Sequence, residues 1–183
     1  MKIVQINQVS GYGSTGHIVE DISAMLCDKG VDNRIYYGLG QTKNVNAVRF
    51  ETDAQLKMHK LYSRLTGRHG FASKRATENL IQALRKYAPD IIHLHNLHGF
   101  YINLPLLFSY IKEADIPVVW TLHDCWAFTG HCAHFDHANC AKWKTGCGRC
   151  PQRLEYPRAL IDASGANYSA KKKLFTGIKS CTV

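Results

Sequence analysis

The chain of 183 residues has no long apolar run. A helical membrane span needs roughly 20 consecutive apolar residues. No stretch approaches that, so no such span is expected. There is no internal repeat and no low-complexity segment, which sets aside solenoid and disordered architectures. No secretory signal is expected, because Met1-Lys2 runs directly into the strand pattern Ile3-Val4-Gln5-Ile6. A reducing, cytoplasmic compartment is therefore expected. Acidic residues are the minority: 14 Asp and Glu against 23 Lys and Arg leave a formal charge of +9. That balance favours anionic partners such as nucleic acid, phosphorylated ligands or an anionic membrane surface. Ordinary solubility would account for it as well. The positive charges are scattered, and the one compact run, Lys171-Lys172-Lys173, reads as the solvated face of a helix.

Hydrophobic residues make up 45% of the chain, and the length suits one domain with a proper core. Strand and helix patterns alternate. Ile3 to Asn7 reads as a buried strand. His17 to Lys29 reads as a helix with Ile18, Ile22, Met25 and Leu26 on one face, ended by Gly30. Asn33 to Tyr37 and Ala47 to Phe50 read as strands. Asp53 to Leu65 and Ser73 to Tyr87 read as helices joined by the basic, glycine-rich link Thr66 to Gly70. Asp90 to Leu94 reads as a strand, Leu104 to Glu113 as a helix, Pro117 to Leu122 as a strand, and Asn167 to Phe175 as a helix. Repeated strand–helix units predict an α/β fold with a doubly wound parallel sheet, Rossmann-like in type. Lys179 to Val183 reads as the opening of another strand, so a second domain is expected to belong beyond it.

Gly11-Tyr-Gly13-Ser-Thr-Gly16 matches G-x-G-x-x-G between a strand and a helix. Free N–H groups at a helix N-terminus suit a phosphate there. A dinucleotide site would also want an acidic residue at the end of the second strand. That end reads Tyr36-Tyr37-Gly38, and Asp32 comes too early. The other reading is a glycine-rich turn with Ser14 or Thr15 capping the helix.

Two strand ends carry titratable groups. Asp90-Ile-Ile-His93-Leu-His95-Asn96-Leu-His98 runs from a buried strand into a polar turn, and alternation points His93 and His95 the same way. Pro117 to Leu122 delivers His123 and Asp124 to a second strand end. A parallel sheet places both near the glycine turn, which makes a cleft of phosphate binder plus titratable groups.

Four thiols follow at once, Cys132, Cys140, Cys147 and Cys150, spaced seven, six and two residues apart between successive pairs. The closing Cys147-Gly-Arg-Cys150 could offer two thiolates to one tetrahedral ion. A structural zinc site takes four such ligands, and His131, His134 or His137 could replace a thiolate. A pair of disulfides, or free thiols, are the alternatives. A reducing compartment favours metal. Cys27, Cys125 and Cys181 read as small core residues.

The glycine turn, Pro89-Asp-Ile-Ile-His-Leu-His-Asn96 and Trp120-Thr-Leu-His-Asp124 resemble the N-terminal domain of family-four retaining glycosyltransferases with the GT-B fold. Phe128-Thr-Gly-His-Cys132 through Cys150-Pro151 resembles a subgroup that builds capsular and extracellular polysaccharide, colanic acid transferases among them. The resemblance implies one acceptor-side domain over residues 1–183, with a Cys-rich loop from Cys125 to Pro151. It implies a nucleotide-sugar donor, a polysaccharide or lipid-linked glycan acceptor, and retention at the anomeric carbon. Gly13, Ser14, Thr15 and Gly16 match the loop near the donor phosphates. His123, with Asp124 after it, matches a histidine beside the transferred sugar. His95, Asn96 and His98 fall in an acceptor-side loop. No catalytic metal is implied, and no nucleic acid. The expected location is cytoplasmic, at the inner membrane face. Ser14 stands where relatives often have a second glycine. The C-terminal domain, with the acidic pair and basic residues that hold the donor, lies outside these residues, so the chain alone is expected to turn over poorly. A zinc-containing nucleic-acid-binding module fits charge and thiols but not the glycine turn. A nicotinamide-dependent oxidoreductase fits the turn but lacks the ribose acid. A zinc-dependent base deaminase would need His-x-Glu, which is absent.

Overall fold

A computed structural model describes residues 1–182, and at 181 and 182 the backbone alone is considered. The elements run β1 (Lys2–Val9), α1 (Gly13–Asp28), β2 (Asp32–Leu39), β3 (Ala47–Arg49), α2 (Asp53–Thr66), α3 (Lys74–Tyr87), β4 (Ile91–Leu94), α4 (Leu104–Ala114), β5 (Val118–Trp120), α5 (Ser164–Phe175) and β6 (Ser180–Thr182). All six strands are parallel, in the order β3-β2-β1-β4-β5-β6. The expected Rossmann-like sheet is present, with each expected strand and helix in it. Val183, the last residue of the final strand pattern, lies outside the described residues.

Local chemistry explains the helix ends. Thr52 and Gln55 form a reciprocal capping box on α2, and Gly67 ends that helix in the left-handed region. Asn103 caps α4 by accepting from Leu106 N, with Pro105 in the first turn. Ile92 and Leu94 of β4, with Val4 and Ile6 of β1, pack against Leu80 and Leu84 of α3 and Leu107, Phe108 and Ile111 of α4. Gln5 points to the opposite face, where its amide meets the backbone of α1. Helices therefore cover both faces of the sheet.

Three expectations are corrected. Helix α1 begins at Gly13 and buries Gly16, Val19 and Ser23, whereas Ile18 and Met25 are exposed. At Gly16 the helix lies close to the end of β1 and the turn after it: a Cβ there would lie 3.2 Å from the Val9 side chain and 3.4 Å from Gly11 N. Cys27 is exposed, not a core residue, and its sulfur accepts hydrogen bonds from Asn33 and Asn46. Lys171 is 2% exposed, because the turn of α5 that leaves Lys172 and Lys173 in solvent carries Lys171 inward.

Gly38 of β2 lets Tyr101 pack directly against the strand: a Cβ there would lie 2.3 Å from Tyr101 Cβ. Tyr101 is fully buried and its hydroxyl donates to Asn96 O at 2.7 Å. A Gly38→Ala variant must displace Tyr101 or the strand, a strain of about 2 kcal/mol. The expected outcome is a melting temperature about 5 °C lower. An unchanged melting curve would show that Tyr101 does not press on β2.

Candidate active site at the carboxyl ends of the strands

The strand order reverses at β1, which pairs with β2 on one side and β4 on the other. Loops after β1 and β4 leave on different faces and open the crevice where parallel sheets place ligand chemistry. Two buried amides of β1 tie the walls together. Asn7 Oδ1 accepts from Asn96 N at 3.2 Å, while Asn7 Nδ2 donates to Val9 O at 2.9 Å and reaches Thr15 Oγ1 at 3.4 Å. One side chain thus joins the glycine turn to the β4 turn. Gln5 lies two residues earlier on the same face, between α1 and His95. Sequence reading passed over both, although polar residues inside an otherwise apolar strand are the signal that marks them.

In the glycine turn, Gly11 and Gly13 adopt φ of 74° and 65°, the left-handed region that favours glycine. Neither Ser14 nor Thr15 caps α1: the N-cap is Tyr12 and it offers no side-chain hydrogen bond. The first N–H groups of α1 are left free of side-chain caps. β2 ends at Leu39-Gly40, again without an acid for a ribose.

The histidines divide into two sets. On one side, His93 Nε2 meets Thr121 Oγ1 at 2.8 Å, the His93 and His95 rings lie 4.1 Å apart, and His95 Nδ1 meets His123 Nε2 at 3.1 Å. Burial lowers the pKa of His93 to about 4 and that of His95 to about 2, with neighbouring histidines adding to both shifts. Burial also lowers that of His123, against the pull of Asp124. His95 is 1% exposed, so its ring is sealed from the crevice.

On the other side, His98 Nε2 meets Asp124 Oδ2 at 2.5 Å and His98 Nδ1 meets Tyr156 Oη at 3.0 Å. A carboxylate only accepts, so Nε2 carries the proton and a neutral His98 accepts from the tyrosine at Nδ1. Asp124 Oδ1 accepts from Trp126 N at 2.8 Å. Burial works against the Asp124 carboxylate, but these hydrogen bonds outweigh it and hold its pKa below the usual range. Both oxygens are engaged, so Asp124 orients its neighbours. The triad opens onto a cleft of about 540 Å³ whose far wall is His134, His137, Gln152 and Glu155. Nothing in the sequence marked Tyr156; it comes from beyond the cysteine loop.

Cys132, Cys140, Cys147 and Cys150 line one small cavity of about 20 Å³. All four are free thiols. Gly130 N donates to Cys147 Sγ at 3.1 Å. Among the described residues, no three His, Cys, Asp or Glu side chains stand close enough together to hold a metal ion. Lys171 anchors the loop from below, its ammonium 3.8 Å over the Trp126 ring and donating to Trp126 O. Burial lowers the Lys171 pKa to about 7. Asp162 accepts from Cys150 N and from Ser164 N, both at 2.8 Å, and so joins the loop to the start of α5.

Residues 16–153 match the sequence profile of Glycosyltransferase Family 4. The chain belongs to that family. It is 28% identical, over 96% of its length, to a protein of Escherichia coli (strain K12) named as colanic acid biosynthesis glycosyl transferase WcaC. The alignment covers 45% of that relative, so the chain spans under half its length. The matched region takes in Gly16, both histidine turns and all four loop thiols. Among the described residues no helix is long and apolar enough to cross a membrane.

Six histidines, at 59, 69, 93, 95, 123 and 131, have pKa values lowered chiefly by burial. The unfolded chain takes up their protons near 6.5, and the folded chain holds out to about 4 at His59 and His93. Between those values the unfolded state binds more protons, so stability falls as pH drops from 6.5 towards 4. Burial raises one carboxyl, Glu51, to about 7. That contribution has the opposite sign, being gained as pH falls, but it is one group against six. The melting temperature is expected to decline steadily through this window. A flat profile would show that these rings are hydrated in the folded chain.

Proposed function

We propose that this chain is the acceptor-side half of an enzyme that transfers a sugar, with retention, from a nucleotide-sugar donor to a polysaccharide or lipid-linked glycan acceptor. The observation that carries the reading is the crevice itself: in a chain of this family, the uncapped start of α1 and two histidine turns meet where β1, β4 and β5 end. The amides of Gly13 to Gly16 would face the donor diphosphate, where leaving-group charge builds. His123 would stand beside the transferred sugar. His98, held by Asp124, would meet acceptor hydroxyls in the cleft with Tyr156 and Asn96. His95 is buried, so its part in this scheme is to support His123. An acceptor carried on lipid would bring the basic chain to the anionic, cytoplasmic face of a membrane.

His123 lies outside the apolar core, so its removal should spare the fold and cost only its hydrogen bond to His95. In the complete enzyme, with its donor-binding half, His123→Ala should cut turnover about a hundredfold, the scale of one aligned electrostatic contact. Normal melting together with undiminished turnover would remove His123 from the site.

The same reading includes a structural zinc in the loop. Four thiols around one ion-sized cavity suit that ion in kind, and the Gly130 amide already donates to one sulfur. The side chains would have to turn inward to close on it. Zinc would cross-link a segment that holds only two short 3-10 turns between β5 and α5, Asp136–Ala138 and Lys142–Lys144. Elemental analysis of protein purified without chelator should give about one zinc per chain. Cys140→Ser or Cys147→Ser should lose it, and Cys27→Ser, outside the loop, should keep it. Metal-free protein, with either free thiols or two disulfides by mass spectrometry, would refute the site.

A further inference from the structure

Three hydrogen bonds run in series from the backbone of α1 to His123, and each dictates the next. Gln5 Nε2 donates to Val19 O at 2.9 Å. A carbonyl only accepts, so the amide NH₂ faces α1 and Oε1 faces away. Oε1 lies 3.2 Å from His95 Nε2. An amide oxygen also only accepts, so His95 Nε2 carries a hydrogen. Burial keeps the His95 ring neutral, which leaves its Nδ1 as a bare lone pair. That lone pair faces His123 Nε2 at 3.1 Å, so His123 Nε2 must donate.

The two rings meet edge to edge. Their planes differ by only 13°, and their centroids are 5.3 Å apart. With the nitrogens at 3.1 Å, that separation leaves little room for sideways offset. An imidazole N–H and lone pair both lie in the ring plane, so this is the geometry in which donor and acceptor point at each other. Among the described residues, no hydrogen bond reaches His123 Nδ1.

We propose that Gln5 and His95 are positioning residues that hold His123 in its Nε2–H tautomer, with Nδ1 as the atom presented to the ligand. A neutral His123 then offers a lone pair. It recognises a hydroxyl donor and sets lone pair against lone pair towards a phosphate oxygen. That the hydroxyl belongs to a sugar rests on the glycosyl-transfer reading; the tautomer does not. His95 cannot be replaced by a residue that only packs, because a buried aromatic of similar size would leave the His123 N–H without an acceptor.

The test is a long-range ¹H–¹⁵N correlation spectrum of the ¹⁵N-labelled chain at neutral pH, which separates protonated from bare imidazole nitrogens. His95 and His123 should each show a protonated Nε2 and a bare Nδ1. Gln5→Met removes the first acceptor, and His123 should then populate both tautomers. A protonated Nδ1 on His123 in the unaltered chain, or an unchanged His123 pattern in Gln5→Met, would overturn the proposal. Should Gln5→Met fail to fold, the spectrum of the unaltered chain decides alone. The spectrum does not depend on turnover, so a failed sugar-transfer assay would count against the glycosyl-transfer reading and leave this one standing.

Discussion

Two amides on one face of β1 set the geometry of everything around them. Gln5 and Asn7 are fully buried, and a buried amide without partners costs more than most single contacts return. Their hydrogen bonds therefore have to be met. Gln5 meets them with Val19 O and His95; Asn7 meets them with Val9 O, Thr15 and Asn96 N. Through these bonds the central strand holds the glycine turn, the first helix and the β4 turn in one arrangement. Trp120 Nε1 adds a bond to His95 O, and Tyr101 adds one to Asn96 O, so the β4 turn is held from three sides.

The same rule governs the cysteine loop. Its backbone has little secondary structure in which to place its polar groups. Side chains do that work instead. Lys171 bonds the carbonyl of Trp126, Asp124 bonds the N–H of Trp126, Asp162 bonds Cys150 and Ser164, and Lys142 bonds Gly148 O and Arg149 O. Burying a lysine costs several kcal/mol unless it is partnered, and the Trp126 carbonyl and ring partner it from two sides. The loop is thereby tied to α5 and to the strand ends. The arrangement brings Tyr156, which is 58 residues from His98 in sequence, against its ring.

Much of the fold was legible. Every strand and helix pattern in the sequence corresponds to an element, because apolar period and turn residues agree with the parallel sheet throughout. The face of α1 was misread. Periodicity points to the large residues Ile18 and Met25, but the face turned to the sheet is Gly16, Val19 and Ser23, and at Gly16 a Cβ would already press on Val9 and the glycine turn. Lys171 was misread because a run of three lysines looks uniform along the chain and is not uniform around a helix. The candidate site was legible as two histidine turns. Their division was not: along the chain His95 and His98 belong to one turn, and the structure buries the first and sets the second on the cleft.

The sequence by itself determined the alternation of elements, the glycine turn, and the delivery of His123 and Asp124 to a strand end. These are local matters: period, propensity and turn chemistry act over a few residues. The tertiary structure alone decided which nitrogen of His123 meets His95, that Asp124 is spent on His98 and Trp126, and that four scattered thiols share one cavity. Each of those depends on partners between 2 and 90 residues away, and a hydrogen bond has a direction that no local pattern records.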